Sequence, residues 1–312
     1  MNNNTINITS SGKIIIAVIL HFISYSNVIS QNLLDVNYNS IYNKSLGEKQ
    51  QAILKPKEQL RYACIVNPGN RREAFWTFEL MKKAFDTGEY KTLYIDMPAL
   101  EAMMLDNYVK NRTWMTADMV KTNCAYSYRR WISADDTNVM SFLNWIKQFN
   151  ISHDAKISIR GLDYHSGEEA TLSLMKVYPA IEGVIDSLRQ LFWDADRINP
   201  YTLVKHTKNV LETNEHSIRN IVGEDYDVFM QFCNQYHYDS VISQHKRDSL
   251  MFNSLLYIDE SDIQPSKAII FMNIWSLRLE QGIITFRTRI MNWLKRDEYL
   301  FYNLIDDINT QK

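Results

Sequence analysis

Side chains able to bind or activate a small molecule sit at a few defined places in this sequence. Asp96 closes one apolar run and Glu101 follows shortly after it. Asp163 and His165 close another run, with Glu168 and Glu169 just beyond, and Asn273 and Trp275 close a third. Arg71 follows the turn Asn67-Pro68-Gly69-Asn70. Carboxylates, an imidazole, arginines and an aromatic wall together suit a cleft for a small polar ligand. An Asp-x-His run followed by acids also offers hard and borderline metal ligands. A catalytic zinc needs three well-placed protein ligands, however, and the same segment reads as a loop in which Asp163 and Ser166 cap backbone amides. No metal and no cofactor is therefore expected. Arg247 and Asp248 read as an exposed ion pair on a helix or, if that helix faces a cleft, as a clamp for a ligand carboxylate or hydroxyl. His237 and His245, on one predicted helix with Val241 between them, read as surface histidines.

The elements that must position these groups alternate along the chain. Short apolar runs at 61–66, 91–95, 156–160, 267–272 and 300–304 read as strands, each bounded by turn residues or charge. Helical spacing covers 72–85 (Phe75, Phe78, Leu80, Met81, Phe85), 99–108 and 137–148, the last begun by the capping candidates Asp135 and Asp136. Strands alternating with helices predict a parallel sheet, and the functional side chains of such a sheet gather beyond the C-terminal ends of its strands. Residues 167–258 hold no convincing strand and read as a mainly helical insertion. Within it a helix over 238–257 carries a stripe, Leu250, Phe252, Leu255, Leu256 and Ile258, assigned to the core.

Of the 312 residues, 46% are hydrophobic, enough for a full core. The net charge of −2, with Lys and Arg scattered along the chain, leaves no footprint for nucleic acid. Residues 1–30 read as an export signal: Lys13 precedes the apolar run Ile14–Leu20, and Val28 and Ser30 satisfy the small-residue rule before a cut at Gln31. The alternative, a membrane anchor, needs about 20 apolar residues, and His21, Ser24, Tyr25, Ser26 and Asn27 break the run. A periplasmic or extracellular location is the expectation, with no membrane attachment after cleavage. Residues 31–58 are polar and lack periodicity, so a flexible lead-in is expected before one α/β domain over 59–312. The three cysteines, Cys64, Cys124 and Cys233, are widely spaced and suggest no disulfide framework. Cys64 falls inside a strand and reads as a small core residue. Gly-x-Ser-x-Gly is absent, so the usual hydrolase elbow is missing, and the nine glycines form no phosphate-cradling loop.

Several motifs, in order, carry a family resemblance. Tyr128-Arg129-Arg130-Trp131 comes first, then Phe142 to Asn150 running into Lys156 to Asp163, then Arg247-Asp248-Ser249-Leu250-Met251. Over about Tyr62 to Asp307 the chain resembles the erythromycin esterase family. That resemblance implies a parallel-type sheet flanked by helices, a long helical insertion between the third and fourth strands, and a ligand cleft to which Arg130 also belongs. Members of the family hydrolyse ester or lactone bonds through a histidine acting as general base on water, in a Gly-Glu-x-x-His loop after the first strand. In the corresponding loop here Val66 takes the Glu position and Gly69 the His position. A glutamate after the family's second strand is matched by Asp96. The family's His-Asn-x-His run reads Met272-Asn273-Ile274-Trp275, which keeps only the Asn. A general base must hold a proton near neutral pH. Gly69 and Met272 cannot, and no histidine occurs between His21 and His153.

The sequence thus predicts an exported, erythromycin-esterase-like protein that has lost the family's catalytic histidines. It would bind a small molecule or peptide at the C-terminal edge of the sheet through Arg71, Glu101, Arg130, Asp163, Arg247, Asn273 and Trp275. The alternative is an ester or lactone hydrolase with a relocated base, His165 paired with Asp163 or Asp96. A third reading is structural, with Met272 and Trp275 filling the cleft. Oligomeric state is not legible from the sequence.

Overall fold

Five apolar runs pair into one all-parallel sheet in the computed structural model, which describes residues 47–67, 71–112, 115–118, 120, 136–164, 200–235, 243–261, 267–273, 277 and 284–303. The strands are β1 (Tyr62–Asn67), β2 (Tyr90–Pro98), β3 (Ser158–Asp163), β4 (Lys267–Asn273) and β5 (Tyr299–Tyr302), in the spatial order β3-β2-β4-β1-β5. Each predicted strand is present, displaced by a few residues, and β3 runs on through Gly161 and Leu162 to include Asp163. The order explains where a cleft can open. The chain leaves β1 toward β2 and leaves β4 toward β5, in opposite directions along the sheet, although β1 and β4 are neighbours paired from Tyr62↔Ala268 to Asn67↔Asn273. Such a reversal opens a crevice beyond the C-terminal strand ends.

Both faces of the sheet are covered, as a parallel sheet requires. On one face lie α2 (Arg71–Asp86) and α4 (Asp136–Ser152), joined through stacked rings of Phe78 and Phe142 at 4.7 Å, with Phe78 also 5.7 Å from Phe271 of β4. On the other lie α8 (Gln244–Ser261) and α9 (Phe286–Trp293), whose Met251, Leu255, Phe286 and Ile290 share a core with Cys64, Ile270 and Met272. The buried stripe of α8 is therefore Met251 and Leu255. Phe252 and Ile258 only lean on that core, and Leu250 and Leu256 are half-buried. The remaining helices are α1 (Glu48–Leu54), α3 (Ala99–Val109), α5 (Pro200–Thr213), α6 (Glu215–Val222) and α7 (Asp225–Gln235). The stretch expected as a flexible lead-in thus carries α1, anchored by buried Ile53 and by Gln50, which donates to Tyr302 Oη at 2.6 Å. The described part of the expected helical insertion is helical, but its last helix, α8, is an integral layer of the sheet.

β3 is an edge strand, and side chains satisfy its backbone. Asp106 of the buried helix α3 accepts the Ile159 N–H at 2.7 Å, Gln231 of α7 donates to the Gly161 carbonyl at 2.8 Å, and Ser254 of α8 donates to the Leu162 carbonyl at 2.8 Å. Asn150, the last residue of the Phe142 to Asn150 stretch, ties α4 to the start of this strand. It accepts from Ile157 N at 2.7 Å and donates to the Ile157 and Val109 carbonyls at 2.9 and 3.2 Å.

Lys49–Leu304 forms one compact unit, and the other unit, Met1–Glu48 with Ile305–Lys312, lies almost wholly outside the described residues, as does the expected export signal. Among the described residues no helix is long and apolar enough to cross a membrane.

Candidate functional site

Asp163 ends β3 beside Pro98 at the end of β2, and the register between these strands shifts between Ile95 and Pro98. The irregularity falls on Asp96 and Met97, the kind of break that re-aims a side chain next to a site. Gly161 makes the close strand approach possible. A Cβ there would lie 2.4 Å from the Met97 carbonyl oxygen, 2.8 Å from that of Pro98 and 2.9 Å from Ala102 Cβ.

The Asp163 side chain is buried and holds the guanidinium of Arg247. Arg247 Nε lies 3.1 and 3.2 Å from the two carboxylate oxygens and Nη2 lies 2.8 Å from Oδ2, while the Tyr164 N–H donates to Oδ1 at 3.0 Å. The capping reading of Asp163 thus matches its bond to the Tyr164 amide, whereas its pairing with Arg247 had no counterpart in the sequence. Arg247 stands in the first turn of α8, where the helix dipole disfavours a cation. Burial disfavours its charge as well. Attraction and hydrogen bonding from Asp163, with further attraction from Asp96 and Asp248, outweigh both and raise its pKa above the usual arginine value.

The reading of Arg247 and Asp248 as an exposed ion pair is corrected. Adjacent residues of a helix do not face each other: Arg247 turns to Asp163, while Asp248 is fully buried and accepts from Gln244 Nε2 at 2.7 Å. The structure therefore gathers Asp163, Arg247 and Asp96, all predicted from sequence, together with Asp248. Glu101 is partly buried in the first turn of α3, at the same β2–α3 junction as Asp96. His165, Glu168, Glu169, Arg130, His237 and Trp275, and the side chains of Arg71 and Asn273, lie outside the described residues. His245 is exposed, with Nδ1 2.9 Å from the Ile284 carbonyl oxygen. No cluster of three or more potential metal ligands occurs among the described residues.

Two solved structures share this fold. A Bacillus cereus protein is 15% identical, with a TM-score of 0.50 over 84% of this chain and 69% of its own. A succinoglycan biosynthesis protein is 10% identical, with a TM-score of 0.50 over 83% of this chain and 69% of its own. An erythromycin esterase variant in its open conformation is a more distant neighbour, 13% identical with a TM-score of 0.40 over 81% of this chain and 75% of its own. No family model and no curated protein matches the chain. At these identities the likeness establishes the α/β fold and a weak structural relationship.

The residue that the sequence placed at a lost histidine position, Met272, is fully buried within the apolar core with Val66, Leu277 and Phe286. Gln231, Gln244 and Ser254 went unnoticed in the sequence. Each acts on a partner that only the folded chain or the helix geometry brings near, and a lone polar residue on a helix carries no signal of that.

Proposed function

We propose that this protein is an exported, erythromycin-esterase-like binding protein that has given up the family's hydrolysis. It takes a small molecule or peptide in the cleft at the C-terminal edge of the sheet. The observation that carries this reading is the Arg247 guanidinium held in a bidentate fork by Asp163, with Asp96 and Asp248 within electrostatic reach. A buried ion pair contributes little net stability over apolar packing, and charge clusters of this kind concentrate where ligands bind. Carboxylates outnumber the arginine, so the favoured ligand presents hydroxyl or ammonium donors. The absence of a histidine at Gly69 and the burial of Met272 in the core argue against a general base at the family's positions.

The test uses residues 31–312 against a panel of lactones, esters, aminated or hydroxylated small molecules and short peptides. Melting temperature reads binding and mass spectrometry reads turnover. Ligands that raise the melting temperature of the wild type but not of Asp96→Asn, without product formation, are the expected result. Turnover abolished by both His165→Ala and Asp163→Asn would replace this reading with a hydrolase using a relocated base. A panel without any ligand or turnover would leave only the structural role.

A further inference from the structure

The N-terminal ends of β2 and β3 carry a second, differently charged groove. Two adjoining cavities of about 350 and 510 Å³ meet at Lys156, Ser158 and Glu224, near the N-terminal ends of β2 and β3. The larger is lined by Lys110, Arg112 and Lys156 against a single carboxylate, Glu224, and the smaller adds Lys91 and Arg160 against Glu224 and Asp227. This surplus of cations stands out in a chain whose net charge is −2.

Part of it has a structural cause. Lys156 donates to the Asn150 and His153 carbonyls at the end of α4, the latter at 2.5 Å, and Lys110 pairs with buried Asp106 at 2.9 Å. Asp227 is forked by Arg219. What remains is Glu224, which gathers Lys110 at 2.5 Å, Arg160 at a loose 3.8 Å and the attraction of Arg112. Its side chain is 47% exposed. It follows Gly223, whose φ of 61° and ψ of −132° suit only glycine, in the tight turn between α6 and α7. Glu224 can therefore swing away without unpacking either helix. Three cations around one half-exposed, turn-borne carboxylate form an anion site occupied by the chain's own side chain.

We propose that this groove binds a small molecule bearing a phosphate-type dianion, which displaces Glu224 from among Lys110, Arg112 and Arg160. Arginine forks suit the geometry of phosphate oxygens, and a dianion gains more from three cations than a single carboxylate does. The organic part of the ligand lies in the adjoining cavity against Val228, Tyr257 and Ile258. The site is independent of the Asp163–Arg247 pair, which stands at the other end of β3.

Calorimetric titration of residues 31–312 with inorganic pyrophosphate at fixed ionic strength tests this. Saturable binding is expected, tightened about tenfold in Glu224→Gln, which removes the internal competitor. It should weaken at least about tenfold in Arg112→Gln/Arg160→Gln and stay unchanged in Asp96→Asn, near the C-terminal end of β2. No saturable binding by either the wild type or Glu224→Gln would overturn the proposal, as would undiminished binding by a folded double variant. If the double variant does not fold, Glu224→Gln decides: tighter binding supports the proposal, and equal or weaker binding overturns it.

Discussion

A buried arginine in the first turn of a helix is held there by what surrounds it, and at Arg247 that is chiefly Asp163. Replacing it with Met would leave the Asp163 carboxylate buried without its counter-charge, at a cost of about 3–5 kcal/mol by analogy with other broken buried pairs. Asp163→Asn in the same protein should return most of that loss, because an amide costs far less to bury than an ion. Urea denaturation of the single and double variants measures both, and an equally unstable double variant would show that Arg247 acts through packing. Glu224 sets a different dependence. Burial opposes its charge, but Lys110, Arg160 and Arg112 prevail and hold its carboxyl below the ordinary 4.5. The folded protein then binds that proton less readily than the unfolded chain does. Its contribution is present above pH 4.5 and is lost as the pH falls through the folded-state value. Glu224→Gln should therefore flatten the stability profile below pH 4.5, a change visible in melting temperatures taken across acid buffers. Asp163 was legible as a site residue because an apolar run stops at it. Its partner was not, since Arg247 lies 84 residues away and only the packing of α8 onto β3 joins them.

The strands were legible because parallel strands buried on both faces read as continuous apolar runs. Their order was not, because nothing local to β4 announces that it separates β1 from β2. The face of α8 was misplaced for a related reason. Its residues 250–258 are apolar at all but Asn253 and Ser254, so periodicity alone could not choose Met251 over Leu250 and Leu256. β3 gives the sharpest test at this scale. A methyl at Gly161 would meet two backbone carbonyls and the Ala102 side chain, none of them a flexible side-chain end. Gly161→Ala should destabilise by about 1–3 kcal/mol, the usual cost of overpacking, and it should also push β3 from β2 where Asp163 stands beside Pro98. A variant that loses stability while ligand binding at that cleft stays intact would separate the strand contact from the site.

Whether the unit Lys49–Leu304 unfolds as one body decides if the helical stretch ahead of α8 is an appendage or part of the core. Two cysteines report on it from different places. Cys64 lies in β1, between β4 and β5, fully buried, and Cys233 lies in α7, 9% exposed, on the helix whose Gln231 holds β3. Burial raises both thiols, that of Cys233 to about 12, so neither forms thiolate near neutral pH in the folded protein. Alkylation followed by mass spectrometry should leave both unmodified in the native state and label both at the same urea midpoint. The physical reason is that α7 packs against α3, α3 against β3, and β3 is satisfied in turn by Asp106, Gln231 and Ser254. Among the described residues α7 is thereby tied to the sheet through α3 and the β3 backbone. Labelling of Cys233 at lower urea than Cys64 would show that α5–α7 open first, and both the β3 edge and the anion groove would then belong to the less stable part of the protein.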